Sequence, residues 1–229
     1  MYLKDIQNMA SYNRLDNQKA KNDISLECKI GDFVFENFWS KLGAKERVND
    51  KWLQIRGVDV KVGDWNVDEK VKYYDSKTKG FMTELLRYPS FEISFENQSG
   101  VLQKGWFINP ENITTHYAFI QPFSIQPDPK KFTIRDLTKV NLLLVKKSDM
   151  DVFKKAHDLE LESSELRSSF KTTNERRRRF PGLNYWLTYT PTFHEQPVNL
   201  VVPRDVLKAL PNTREFEIDN NGKLTELKG

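Results

Sequence analysis

Cysteine is nearly absent from this chain: of 229 residues only Cys28 carries a thiol, so no disulfide can close within it and a Cys-pair metal knuckle is excluded. Histidine is scarce too. His116, His157 and His194 stand far apart, with no companion at metal-ligand spacing, which argues against a zinc centre. No run of about eighteen apolar residues exists to span a bilayer, and MYLKDIQNMASYNRLDNQ lacks the apolar core and cleavage site of a secretory signal. A cytoplasmic chain with no membrane partner is the expectation. G-x-x-x-x-G-K-[ST] and G-x-S-x-G are missing as well, so neither a phosphate-cradling P-loop nor a serine-hydrolase elbow is encoded.

What is present is enough apolar material for a core, with 38% hydrophobic and 12% aromatic residues. The chain suits one domain over 1–229, with a core at about 32–168 and an α+β extension at about 169–229. The net charge of +4 is compatible with a nucleic-acid partner without requiring one. Charge is concentrated at one place, the run Arg176, Arg177, Arg178 and Arg179 in TTNERRRRFPG. Packing these guanidinium groups together costs repulsion unless solvent, acids or phosphates relieve it.

Periodicity assigns the elements. A charged amphipathic helix is expected from Leu3 to Lys21, then a break over Asn22 to Gly31, with Asp32 capping a second helix. Phe35, Phe38, Trp39 and Leu42 recur on that helix as a core stripe, with Glu36 beside it. Lys51 to Arg56 extends a strand backward. Phe91, Ile93 and Phe95 alternate with Glu92 and Ser94 in a further strand, and GWFI (105–108) and HYAFI (116–120) continue the sheet. Lys139 to Lys147 reads as a buried strand, and Asp149 as the cap of a helix running to Ser168. Tyr185, Trp186 and Tyr189 sit in a strand pattern, where such residues are core or, if exposed, stack on unpaired bases.

The stretch Gly57 to Val71, GVDVKVGDWNVDEKV, carries chemistry. Val58, Val60 and Val62 alternate with Asp59 and Lys61, and Val67, Glu69 and Val71 alternate with Asp68 and Lys70, with turn residues between. On a strand Asp68 and Lys70 share one face and Glu69 takes the other. Two carboxylates converging with an ammonium can hold a divalent metal and stabilise charge on an attacked phosphate.

This arrangement resembles the PD-(D/E)XK superfamily of nucleases, which includes many restriction endonucleases and DNA-repair nucleases. The matching positions are Asp59, then Asp68 and Lys70, with Glu36 in FVFENFWSKL as the helix glutamate; Val58 stands where the proline is usual. The resemblance covers Asp32 to Phe119. It implies an α/β, restriction-endonuclease-like mixed β-sheet flanked by helices, and hydrolysis of phosphodiester bonds, in DNA, dependent on Mg²⁺ or Mn²⁺. Asp59 and Asp68 then bind metal, Glu36 and Glu92 are auxiliary acids, Lys70 stabilises the phosphate, and Arg176 to Arg179 contact the nucleic-acid backbone. Cutting both strands would call for a homodimer. The alternatives are a non-catalytic nucleic-acid-binding or interaction module on the same scaffold, since fold does not fix function, and an enzyme acting on a small phosphorylated substrate.

Overall fold

The computed structural model describes residues 18–75, 77–97, 99–157, 159, 164–173, 175–191 and 196–228. Of the helix expected from Leu3 to Lys21, the part before Gln18 lies outside these residues. Helix α1 spans Gln18–Val34 without the break expected at Asn22 to Gly31. Leu26, Ile30, Val34 and Phe38 recur at one-turn spacing and are buried, so the apolar stripe is continuous through the segment. Asp32 is therefore mid-helix and pairs with Arg47 rather than capping. A π-turn over Phe35–Trp39 follows. Its wider winding lets the adjacent Phe38 and Trp39 both reach the core at 0% exposure. Leu42, expected in that stripe, is exposed. Gly43, at φ 94°, ends the helix in the left-handed conformation.

The short helix α2, Lys51–Ile55, replaces the expected strand extension because Asp50 caps it, accepting the Trp52 and Leu53 N–H groups. Strands β1 (Val60–Val62) and β2 (Trp65–Val71) form a hairpin in which Val60 faces Val67. A small ribbon pairs β3 (Tyr74–Asp75) with β4 (Gly80–Phe81). Then come β5 (Ser90–Glu96), β6 (Leu102–Lys104), β7 (His116–Ser124) and β8 (Leu137–Lys146). Helices α3 (Lys147–Ala156) and α4 (Ser164–Thr173) precede β9 (Arg177–Arg179), β10 (Trp186–Tyr189) and β11 (Val198–Val201). Helix α5 (Arg204–Lys208), β12 (Arg214–Asp219) and β13 (Leu224–Lys228) complete the order.

The strands form two large sheets. The central sheet runs β1-β2-β7-β8-β12-β13 and is mixed, because β2 and β7 are parallel while every other neighbour is antiparallel. The second sheet runs β6-β5-β11-β10-β9. SFEISFE thus belongs to the second sheet instead of continuing the first. GWFI is a turn: the Gly105 N–H donates to the Ile93 carbonyl at 2.7 Å. A Cβ at Gly105 would run into the Glu92 carbonyl, so the backbone approaches β5 more closely than a side chain allows.

Alternation along each strand divides the core in two. Ala118, Ile120, Leu142 and Leu144 face α1 with Val67, Phe38 and Trp39. Tyr117, Phe119, Leu143 and Val145 face the second sheet with Phe91, Ile93, Leu187 and Leu200, and with Met150 and Phe170 of α3 and α4. The layers are therefore helix, central sheet, second sheet. The segment after residue 169 contributes strands to both sheets. Asp149, expected to cap a long helix, instead binds Asn212 through both its backbone and side-chain nitrogens, and α3 stops at Ala156.

Candidate functional site

Asp59 lies one residue before β1, and its backbone is fixed on both sides. Its N–H donates to the Val67 carbonyl at 2.8 Å, and its carbonyl accepts from Val48 at 2.9 Å. Its Oδ2 accepts the Glu69 N–H at 2.8 Å, which draws the carboxylate across onto β2. Gly57 makes that bend possible. Its φ is +74°, and a Cβ there would meet Thr114 Oγ1 at 2.5 Å and the Asn112 side chain at 2.7 Å. Thr114 Oγ1 donates to the Gly57 carbonyl at 2.6 Å and locks the turn. Gly57→Ala combines a disfavoured conformation with a clash, so we expect a loss of about 1–3 kcal/mol, which chemical denaturation checks.

Asp68 and Lys70 occupy the face of β2 that looks toward the second sheet, next to Tyr117 and Phe119 in register. Asp68 is 2% exposed. Lys70 Nζ is 2.7 Å from Asp68 Oδ1, while Asp68 Oδ2 is buried with no hydrogen-bond partner. Burial pushes the Asp68 carboxyl up to about 7 against the pull of Lys70, and the neighbouring Asp59 carboxylate adds to the rise. For Lys70, burial works against the charged form, but Asp68, Asp59 and Glu92 outweigh it and raise its pKa. The ammonium sits 4.4 Å from the Trp106 ring centroid, a cation–π contact that fixes its direction. The Tyr117 hydroxyl is also buried without a partner on this side.

The opposite face of β2 serves a different purpose. Glu69 accepts from Trp39 Nε1 at 2.7 Å and pairs with Arg47 at 2.7 Å. Arg47 also reaches Asp32 at 3.2 Å, tying α1 to β2. Its guanidinium lies against Gly31, where any Cβ would collide with it. Burial pushes Glu69 up to about 7, opposed by Arg47. Glu69 is thus a buried tie between layers, and its N–H positions Asp59.

Glu92, on β5, raises the Lys70 pKa through its charge, but alternation with the buried Phe91 and Ile93 places it on the outer face of the second sheet, opposite Asn199 in register. Glu36 is exposed on the turn after α1, and α1 packs on the Glu69 face, so the alternation of β2 separates it from Asp68. The four arginines are also divided by strand alternation. Arg178 turns inward, pairing with Glu175 at 2.9 Å and lying over the Phe170 ring at 4.4 Å, whereas Arg176, Arg177 and Arg179 are exposed. Tyr185 and Tyr189 are buried, which removes them from stacking on bases; only Trp186 of that trio faces outward. His116 packs on Trp65 at 4.3 Å, and burial and Lys146 push it down to about 4. His157 stacks on Phe153 and Tyr185, and His194 lies outside the described residues.

Sequence reading missed Arg47, whose approach to β2 from a loop has no periodic signature; it placed Trp39 in a core stripe and Trp106 and Tyr117 in strand patterns, without a role beside β2. Among the described residues no group of three or more His, Cys, Asp or Glu side chains is gathered that could hold a metal. Two carboxylates with an orphaned oxygen still fit Mg²⁺ or Mn²⁺, since Mg²⁺ is held by one or two carboxylates, water and substrate phosphate. Comparison with protein-family models, curated proteins and solved structures finds no match.

Proposed function

We propose that the chain is a metal-dependent nuclease of the PD-(D/E)XK kind that hydrolyses phosphodiester bonds in DNA. The observation that carries this reading is the buried, unpartnered Asp68 Oδ2, held beside the Asp59 carboxylate and the Lys70 ammonium. Leaving a buried carboxylate oxygen unsatisfied costs stability, and carboxyls perturbed by burial and by a second carboxylate gather at functional sites, which supports this reading. The hairpin that carries Asp59 and Asp68-x-Lys70, the parallel neighbour β7 and the helix layer over the sheet support a restriction-endonuclease-like fold.

Asp59 and Asp68 would hold Mg²⁺ or Mn²⁺, which when bound supplies Lewis acidity and a water of lowered pKa. Lys70, whose ammonium lies 2.7 Å from Asp68, would balance charge that develops on the nonbridging phosphate oxygens. Glu92 helps keep Lys70 protonated for that role. Trp106 restricts the ammonium's path and shields one side of it from water. Asp59 is kept in place by the Glu69 N–H, so the x position of D-x-K positions an acid through its backbone while its side chain anchors α1.

A specific observation favours a second reading, the non-catalytic nucleic-acid-binding module: Lys70 already neutralises Asp68 at 2.7 Å. The two are separated by incubating supercoiled, linear duplex and single-stranded DNA with Mg²⁺, Mn²⁺ or chelator. Cleavage only with metal supports the nuclease; nucleic acid held intact in all three supports the module. Metal occupancy has its own readout. Mn²⁺ at about 100 times its Kd adds about 2.7 kcal/mol of stability, so we expect a clear rise in Tm that Asp68→Asn abolishes. A Tm unmoved by millimolar Mn²⁺ would remove the metal from the site.

A further inference from the structure

The outer face of the second sheet carries a groove that the metal site does not use. Its volume is ≈ 540 Å³ and it is open to solvent, with Tyr88, Trp186, Arg177, Ser90 and Asn199 among its walls. Strand alternation builds it. Leu187, Tyr189, Val198 and Leu200 turn into the core, so Trp186, Thr188, Asn199 and Val201 turn out. Arg177 faces Thr188 and Arg179 faces Trp186 in the β9/β10 register, which puts both guanidinium groups on this outer face.

Two aromatic rings and a guanidinium are already packed together. The Arg177 guanidinium lies 3.8 Å from the Trp186 ring centroid, and Tyr88 packs against the same indole at 5.1 Å, edge to face. Tyr88 is 51% exposed, so a flat ring surface remains open to solvent beside them. Among the described residues Arg177 is the charged side chain that lines the groove, Glu92 lies beside it on the same face opposite Asn199, and Ser90, Thr188, Thr190 and Asn199 offer short donors and acceptors. Arg176 and Arg179 continue the positive charge along the β9 edge. Open flat rings, a guanidinium plane, small hydrogen-bonding groups and a basic edge are the components that hold an unpaired nucleotide and its phosphates. A duplex, whose bases are stacked inside, would meet only the basic edge.

We propose that this sheet face binds single-stranded nucleic acid, seating one base against Tyr88 and the Arg177–Trp186 pair with the sugar-phosphate chain following Arg176, Arg177 and Arg179. The proposal rests on the nuclease reading only for the choice of DNA as the strand. The groove faces away from the layer that holds Asp68, so strand binding here needs no metal.

The test is fluorescence anisotropy of the full chain with labelled oligo(dT), oligo(U) and a mixed-sequence duplex, all in chelator. Both single strands should bind more tightly than the duplex, and a preference between them says which sugar is favoured. Tyr88→Ala and Arg177→Ala should each weaken single-strand binding about tenfold, with melting curves confirming that the exposed substitutions leave the fold intact. Oligo(dT) should quench tryptophan emission in the parent, and Trp186→Phe should lose that quench while keeping most of the affinity. Affinity in Tyr88→Ala and Arg177→Ala equal to the parent, or duplex binding equal to single-strand binding, would overturn the proposal. No strand binding beside metal-dependent plasmid cleavage would overturn the groove and leave the nuclease; binding without cleavage would do the reverse.

Discussion

Asp68→Asn and Lys70→Met proteins are expected to lose phosphodiester cleavage by at least about 10²–10³-fold, the loss that removing one preorganised charge-stabilising group produces. The two variants should fail differently. Asp68→Asn keeps an oxygen for Lys70 but removes the charge that would hold the cation, so cleavage and the Mn²⁺-induced rise in Tm should vanish together. Lys70→Met keeps Asp59 and Asp68 and removes the ammonium that competes with the cation for Asp68 Oδ1. Metal binding should persist or tighten in that protein while cleavage is lost. Asp68→Asn relieves the cost that burial and the Asp59 carboxylate impose on the charged form but also leaves the Lys70 ammonium without its partner at 2.7 Å, so the melting temperature in chelator should change little. An Asp68→Asn protein as active as the parent would end the assignment.

The hairpin was the most legible part of the sequence, because strict alternation from Val58 to Val71 fixes which side chains share a face. Asp68 and Lys70 duly lie together, 2.7 Å apart, and Glu69 lies on the other side. The strand β5 was readable for the same reason, and β7 and β8 from their apolar runs. What alternation does not encode is which strands become neighbours. SFEISFE pairs with Val198–Val201, about a hundred residues later in the chain, and only the complementarity of two apolar faces decides that partnership. Helix boundaries were obscured for another reason. The polar residues Asn22 to Gly31 look like a break, yet Leu26 and Ile30 keep the apolar spacing and the core holds the helix together. Glu36 was misplaced because a helix glutamate beside an aromatic stripe gives no sign of which sheet face the stripe will cover. The RRRR run hid its own division, since only its strand conformation sends Arg178 inward and its neighbours outward.

One strand therefore does two jobs at once. The Glu69 side of β2 ties α1 to the sheet through Arg47 and Trp39, and the Asp68 side holds an ammonium and an unpartnered oxygen. The first supports the second, because the Glu69 N–H orients Asp59 and a β2 that shifted along its neighbours would lose that bond.

Glu215→Gln is expected to destabilise the fold by about 2–4 kcal/mol at pH 7, the largest stability effect we anticipate from a single conservative substitution. Glu215 on β12 is 2% exposed and lies against Arg204 at 2.8 Å and Lys208 at 2.6 Å, with Asn141 of β8 at 3.2 Å. Arg204 itself is 7% exposed and also bonds Asn141, so one carboxylate neutralises a buried guanidinium and pins α5 to two strands of the central sheet. Removing that charge leaves Arg204 buried without its counter-ion, which typically costs about 3–5 kcal/mol; Lys208, 37% exposed, is screened by solvent and lowers the total. The pH dependence follows from the direction of the shift. Burial alone would raise the Glu215 pKa, but Lys208 and Arg204 overcome it and hold the carboxyl down at about 2, below the ordinary 4.5. Its stabilisation is therefore complete above about pH 4.5 and fades as pH falls toward 2. Melting curves of parent and Glu215→Gln between pH 7 and pH 3 should show a gap that is widest and constant near neutrality and narrows below pH 4.5. A gap that is absent at pH 7 would mean that desolvation cancels the ion cluster. A gap that widens on acidification would reverse the sign assigned to Glu215.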